Sequence, residues 1–293
     1  MIPIDFSGKV ALVTGVADND SFAWYISKAL QAAGAKIVLG SHPRVVGIVE
    51  SFLSREMDKE SRQLPYGAGE LKVEKVYALD ARFDTMADVD EATRNDKRWG
   101  KYPFYAVQEV VDACGKEFGG IDILIHSMAF SREIKNRMID TSRAAYYEAI
   151  GISAYSFTSL LRAATPYMEK RPGGASAVGL TYLGGSRVVP YYGGGMSTAK
   201  AALQIDCGQL AHNVGTKNIR VNLISAGPYA SRAARGIGDI QQSIDYAAKR
   251  SPLPRGIEAD EVANATVFLC SPLASAVTGH TLFVDCGYNI MGV

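Results

Sequence analysis

A tyrosine-rich stretch that ends in a lysine, LTYLGGSRVVPYYGGGMSTAK (180–200), contains the residue types needed to stabilise an oxyanion. A phenol donates a hydrogen bond, and a nearby ammonium group favours phenolate and strengthens that donation. On an ideal helix, at about 100° per residue, Tyr192 and Lys200 would lie about 80° apart, and glycine in the first turn would let the tyrosine approach the lysine. The stretch alone leaves open whether Tyr182 and Tyr192 are catalytic or are packing residues with hydrated hydroxyls.

The composition is that of an ordinary globular chain. Hydrophobic residues make up 47% of the 293 residues, charged residues make up 21%, and the net charge is +1. No overall charge would recruit nucleic acid or an anionic membrane, and no apolar run is long enough for a transmembrane helix. The chain enters its first predicted strand directly, so we expect no signal peptide. Its four cysteines and four histidines show no metal-binding spacing, which favours reduced thiols and no metal site.

Strands and helices are predicted to alternate along the whole chain. A first strand (9–14) ends at Gly15, and a helix (24–33) and a second strand (35–40) complete a βαβ unit that could hold a dinucleotide. The fingerprint GxGxxG is incomplete, because Ser21 and Ala23 stand where later glycines would. Further strands are predicted at 75–79, 121–125, 175–182, 219–224 and 281–285, and further helices at 45–57, 107–118, 141–168, 200–214 and 259–270.

This alternation predicts an α/β fold, a doubly wound parallel sheet (Rossmann fold) with helices on both faces, in a single domain over 1–293. Residues 82–105 mix aromatic rings with cations. Because carboxylates neutralise these cations, we expect a surface insertion rather than a nucleic-acid site. Residues 229–255 are expected to form a mobile, polar substrate-binding loop.

Ligands of such sheets bind beyond the carboxyl ends of the strands. Six residues that could bind or act on a ligand are expected at this edge: Gly15, His42, Asp80, Ser127, Tyr182 and Gly227. Their shared position predicts a nucleotide cofactor that lies across the edge. His126, one residue earlier, is expected to be a hydrogen-bonded interior histidine rather than a base.

Several longer motifs carry a specific resemblance. TGVADND, IDILIHSMAF, LTYLGGSRVVPYYGGGMSTAK, IRVNLISAGP and SPLASAVTGHTLFVDCG together resemble an enoyl-acyl-carrier-protein reductase of the divergent short-chain dehydrogenase type. An ordinary short-chain dehydrogenase has its tyrosine four residues before the lysine, where this chain has Met196. The GGGM spacing, the insertion 82–105 and the SRAA run (231–234) are similar to the plastid and chlamydial branch.

The resemblance implies NADH as the cofactor. His42 and Arg44 could also tolerate the 2′-phosphate of NADPH. In the implied arrangement, Asp80 and Ala81 hold the adenine and Lys200 binds the nicotinamide ribose. The other implied cofactor residues are Gly15, Ser21, Phe22, His42, Ser127, Met128, Ala129, Ala226, Gly227, Pro228, Tyr229 and Ser231.

The implied reaction is hydride transfer to a trans-2-enoyl thioester, the last reductive step of type II fatty acid elongation. Tyr192 would donate to the thioester carbonyl with Tyr182 in support, and Ser131 and Ala233 would line the acyl pocket. A reductase of enoyl-CoA or of ketones, and a dinucleotide sensor without activity, remain alternatives. The implied partners are acyl carrier protein and three further copies in a homotetramer, without nucleic acid or membrane. The implied compartment is a bacterial cytoplasm, or a plastid stroma after removal of a transit peptide.

Overall fold

A computed structural model describes residues 4–231 and 240–292. Seven parallel strands form its sheet in the order β3-β2-β1-β4-β5-β6-β7. The strands are β1 Val10–Thr14, β2 Lys36–Ser41, β3 Val73–Ala78, β4 Ile123–His126, β5 Ala175–Tyr182, β6 Ile219–Ala226 and β7 Thr281–Val284. The predicted doubly wound parallel fold is confirmed.

Helices cover both faces because the central strands are apolar on both sides. The helices are α1 Phe22–Ala32, α2 Val46–Ser54, α3 Lys59–Arg62, α4 Glu91–Asn95, α5 Val107–Glu117, α6 Arg143–Ile150, α7 Ser156–Met168, α8 Met196–Val214, α9 Ile240–Arg250 and α10 Ala259–Cys270. Helices α1 and α10 supply one core, with Trp24 and Val262 fully buried. Helices α5, α7 and α8 supply the other, with Val110, Leu160 and Leu203 fully buried.

Two segments differ in secondary structure from the sequence-based expectations. The predicted long helix 141–168 is divided by a π-helical turn at Gly151–Tyr155. The predicted polar loop 229–255 contains α9.

The insertion 82–105 is more than a surface excursion. It buries Phe83, Trp99 and Tyr105 in a small core of its own, against Val46 and Ala78. Mixed charge in the sequence concealed this core, because charged side chains flank Phe83 and precede Trp99.

Among the described residues, no helix is both long and apolar enough to cross a membrane. In the same part of the chain, His, Cys, Asp and Glu form no group of three that could hold a metal ion.

Candidate active site

The strand order reverses between β1 and β4, and the turns that follow these two strands touch. Gly15 has φ +85°, and a Cβ there would lie 2.1 Å from the Ser127 carbonyl oxygen and 3.0 Å from Met128 Cγ. Only glycine fits this contact without a shift of the backbone. The turn leads to α1, whose N-cap Ser21 accepts a hydrogen bond from the Trp24 N–H. Open parallel sheets bind dinucleotides in the crevice where the strand order reverses, next to a helix N-terminus.

Asp80 organises the corner beyond β2 and β3. Its carboxylate, 1% exposed, accepts hydrogen bonds from Arg82 and, at 2.9 Å, from Trp99 Nε1. Burial alone would raise the pKa of Asp80, but the hydrogen bonds and charge of Arg82 outweigh it and hold the pKa below its usual value. The carboxylate therefore stays ionised.

His42 and Arg44 complete this corner around the indole of Trp99. The His42 ring meets the indole edge to face, with centroids 5.3 Å apart and planes inclined by 90°, and the Arg44 guanidinium lies 5.0 Å from the indole centroid. Burial lowers the pKa of His42, although Asp80 opposes the shift. His42 and Asp80 are thus together as expected, with Ala81 partly buried beside them. Sequence reasoning missed Trp99, which lies inside the insertion; the signature that could have identified it is a tryptophan among arginines.

Tyr182 and Tyr192 meet at the end of β5. Their rings are 5.0 Å apart at an interplanar angle of 65°. Burial raises the pKa of Tyr182 to about 12 and also raises that of Tyr192, with Tyr182 adding to the rise. Both phenols are therefore protonated donors at neutral pH.

Lys200 is 5% exposed and lies in the second turn of α8. Its Nζ donates to the Leu180 carbonyl oxygen at 2.8 Å, and burial lowers its pKa to about 8. Two expectations are corrected here. The helix predicted to begin at residue 200 begins at Met196, after a left-handed Gly195, and Tyr192 precedes it, so the angle calculated for two residues on one helix does not apply. The expected stabilisation of the Tyr192 phenolate by Lys200 is also not seen, since burial raises the pKa of the tyrosine.

The loop 131–136 packs so closely against the glycine run 193–195 that side chains there would clash. A Cβ on Gly193 would lie 1.8 Å from the Asn136 carbonyl oxygen, and one on Gly194 would lie 2.4 Å from Ser131 Oγ. The Ser131 hydroxyl donates to the Gly194 carbonyl at 2.7 Å. Ser131 therefore supports the segment that carries Tyr192, while its side chain is buried. The long spacing between tyrosine and lysine accommodates this contact.

The segment after β6 returns to the start of α1. Gly227 donates to the Val284 carbonyl at 2.9 Å, and the Tyr229 ring lies 5.0 Å from that of Phe22. Tyr229 and Tyr25 also share a side-chain hydrogen bond. Ala226 is buried, whereas Pro228 and Ser231 are partly exposed. Ala233 lies outside the described residues.

Ala129 and His126 are the last two residues for which the sequence predicts a role or an environment. Ala129 is exposed. His126 is fully buried, and its Nε2 lies 2.7 Å from Ser156 Oγ. Its Nδ1 has no hydrogen-bond partner among the described residues. The histidine expected to be hydrogen-bonded therefore has a partner at only one of its two ring nitrogens. Burial, reinforced by the charge of Lys200, lowers the pKa of His126 to about 3 and keeps the ring neutral.

The expected cofactor residues therefore lie along one edge of the sheet. The two tyrosines lie at the end of β5, and Lys200 donates to the backbone of the same strand. With this geometry, the chain can hold an extended dinucleotide and present a protonated phenol to a developing negative charge.

Comparisons with known proteins agree with this arrangement. The profile of the family described as "Enoyl-(Acyl carrier protein) reductase" matches residues 105–289. The chloroplastic enoyl-[acyl-carrier-protein] reductase [NADH] of Arabidopsis thaliana is 48% identical over 100% of this chain and 74% of its own. The corresponding enzyme of Nostoc is 36% identical over 99% and 100%.

Solved structures agree as well. The enoyl-acyl-carrier-protein reductase of Plasmodium berghei with triclosan has a TM-score of 0.91 and 40% identity, covering 97% of this chain and 98% of its own. The Anaplasma phagocytophilum reductase in complex with NAD has a TM-score of 0.80 and 32% identity, covering 99% and 97%. The chain belongs to the enoyl-[acyl-carrier-protein] reductases of the short-chain dehydrogenase/reductase type.

Proposed function

We propose that this protein reduces the trans-2 double bond of an enoyl thioester on acyl carrier protein with hydride from NADH. The observation that carries the proposal is the pair Tyr182–Tyr192 at the end of β5, together with buried Lys200, whose Nζ donates to the Leu180 carbonyl oxygen of the same strand. The relatives that are 36–48% identical over the full chain bear the name of this NADH-dependent reductase.

The residues along the edge fit a dinucleotide. Gly15 keeps the crevice between β1 and β4 open to the N-terminus of α1, where a pyrophosphate is stabilised by free N–H groups. His42, Asp80 and Ala81 would hold the adenosine, and Met128 and Lys200 would hold the nicotinamide riboside. When bound, NADH supplies the hydride.

Tyr192 acts on the substrate. Hydride addition to the β-carbon places negative charge on the thioester oxygen, and the Tyr192 phenol donates to that oxygen. A donor aimed at a developing oxyanion contributes about 10²–10³ in rate. Because burial keeps the phenol protonated, the hydrogen is available throughout the neutral range. Tyr182 fixes the ring of Tyr192 by its edge-to-face contact, and Lys200 holds the cofactor ribose with its ammonium group.

Steady-state oxidation of NADH with crotonyl thioesters of acyl carrier protein tests the proposal. We expect turnover that depends on the carrier-bound substrate, and a kcat that falls about 10²–10³-fold in Tyr192→Phe while NADH still binds. A protein that binds NADH but turns over no enoyl thioester would instead be a sensor, and the proposal would fail.

The same family likeness supports a homotetramer in a bacterial cytoplasm or a plastid stroma. Tyr147 on α6 and Ile205 on α8 are 60% and 71% exposed and offer apolar surface for other subunits. Sedimentation equilibrium tests the assembly, and a monomer at micromolar concentration would contradict it.

A further inference from the structure

A cleft of ≈ 430 Å³ opens next to Tyr192, on the side formed by the loops after β4 and β5. Its walls mix apolar groups with cations: Lys135, Arg137, Arg187, Val188, Tyr191 and Tyr192. The volume falls within the range of small-molecule sites, which is about 300–1,000 Å³. The cleft therefore suits an elongated ligand that is partly apolar and carries negative charge.

The cleft has strongly one-sided charge. No carboxylate lines it among the described residues. Arg137 is paired with Asp140 at 2.6 Å, but neither Lys135 nor Arg187 forms an ion pair within the part of the chain that the structure describes. Two available cations at the rim of an apolar cleft would attract an anionic group.

The apolar part of the cleft is also unusual. Val188 is 96% exposed and Tyr191 is 77% exposed. Tyr191 has φ +66°, a left-handed conformation that costs energy for a residue other than glycine. The loop thus holds two apolar side chains in solvent close to Tyr192, the proposed donor to the thioester.

We infer that this cleft binds the phosphopantetheine arm of the carrier-bound substrate, with the phosphodiester between Lys135 and Arg187 and the pantetheine chain against Val188 and Tyr191. This inference rests on the proposed function and adds the place where the substrate arm lies. The arm is a flexible chain that joins a thioester to a phosphate, which matches a cleft with Tyr192 at one wall and cations at another.

A Lys135→Ala/Arg187→Ala double variant tests the inference when its activity on a substrate that carries the phosphate is compared with its activity on one that lacks the phosphate. The expected result is a fall in kcat/KM of about tenfold on enoyl-acyl carrier protein, the size expected when contacts to a charged group are lost. On the enoyl thioester of N-acetylcysteamine, which lacks the phosphate, kcat/KM should remain within about twofold of the parent value. The matched control is Lys36→Ala, an exposed cation at the amino end of β2, which should change neither value.

Three outcomes would overturn the inference. An unchanged kcat/KM on enoyl-acyl carrier protein would mean that the cations do not contact the substrate; a change in sedimentation alone would then indicate that a second copy of this chain covers the cleft. An equal fall on the N-acetylcysteamine thioester would mean damage to the catalytic site. A fall on enoyl-acyl carrier protein without a fall on enoyl-CoA, which has the same arm and phosphate, would place the cations against the carrier protein's own acidic surface. Activity of the parent protein on the N-acetylcysteamine thioester tests the proposed function separately.

Discussion

The edge of one tyrosine ring faces another at the centre of the site: Tyr182 and Tyr192 lie with centroids 5.0 Å apart and planes inclined by 65°. Gly184 permits this approach, because a Cβ there would lie 2.7 Å from Tyr192 Cδ1 and 3.2 Å from Tyr182 Cδ1. In the proposed function the two phenols have separate tasks, Tyr192 donating to the substrate and Tyr182 fixing the donor.

Substitution of each tyrosine by phenylalanine should distinguish these tasks. Tyr192→Phe removes the donor and should lower kcat about 10²–10³-fold. Tyr182→Phe keeps the ring that supports Tyr192, so we expect a loss of only about threefold to tenfold. Steady-state kinetics with carrier-bound substrate measure both, and NADH titration serves as the control for cofactor binding. Equal losses in the two variants would contradict this division.

The contact between Gly193 and the loop 131–136 should be intolerant of even one methyl group. In Gly193→Ala, a Cβ 1.8 Å from the Asn136 carbonyl oxygen must displace backbone. We expect a loss of about 1–3 kcal/mol in unfolding free energy and at least about a tenfold loss of kcat, because Tyr192 moves with its neighbour.

Gly208→Ala is the matched control for this substitution. Gly208 lies within α8, and a Cβ there meets no atom within 4 Å. Alanine should therefore stabilise the helix by about 0.5–1 kcal/mol and leave kcat unchanged. Urea unfolding and steady-state rates measure the two effects, and a neutral Gly193→Ala variant would refute the account of the glycine run.

The buried ammonium of Lys200 predicts a pH dependence of the rate. Because its pKa is lowered to about 8, the charged form is lost as pH rises through that value. We expect kcat/KM for NADH to be level near pH 7 and to fall above about pH 8. A Lys200→Arg variant, whose side chain stays charged, should not show this fall in kcat/KM. The same fall in both proteins would assign the titration to another group.

The same burial predicts a stability effect of opposite direction. The folded-state pKa of about 8 lies below the ordinary value of 10.5, so the unfolded chain binds more protons between these pH values. The free energy of unfolding therefore rises with pH through this window, and at pH 7 the buried charge costs about 3 kcal/mol. Lys200→Met should be more stable at pH 7 by about 1–3 kcal/mol while losing turnover. Thermal unfolding at pH 7 and 10 measures the effect, and a less stable variant would argue against a net cost.

The indole of Trp99 should matter for cofactor binding although it belongs to the insertion. Trp99→Phe keeps most of the packing but removes a donor to the buried carboxylate of Asp80. We expect a stability loss of about 1–3 kcal/mol and a severalfold higher Kd for NADH. Fluorescence titration measures the Kd.

Tyr167→Phe is the control for Trp99→Phe, because it removes a hydrogen bond to Asp112 far from the carboxyl edge. It should lower stability without changing the Kd. If the Kd rises equally in both variants, general destabilisation explains the effect.

Much of this protein is determined by local sequence. Uniformly apolar runs fix the buried parallel strands, and β5 and α10 have the predicted limits, 175–182 and 259–270. Once the strands are parallel, their carboxyl ends must share one edge. Gly15, His42, Asp80, Ser127, Tyr182 and Gly227 are therefore brought to that edge by topology alone.

Contacts between distant segments decided the rest. Ser131 and Gly194 are 63 positions apart, and their packing, with the left-handed Gly195, holds the segment that carries Tyr192 before α8. Trp99 reaches Asp80 across 19 positions and turns an apparent surface insertion into part of the corner beyond β2 and β3. Helical periodicity and charge pattern describe only neighbours along the chain. Steric exclusion at the glycines depends on which distant groups pack against them. The desolvation of Lys200 and Tyr192 likewise depends on their neighbours in space, and these neighbours are determined only when the chain is folded.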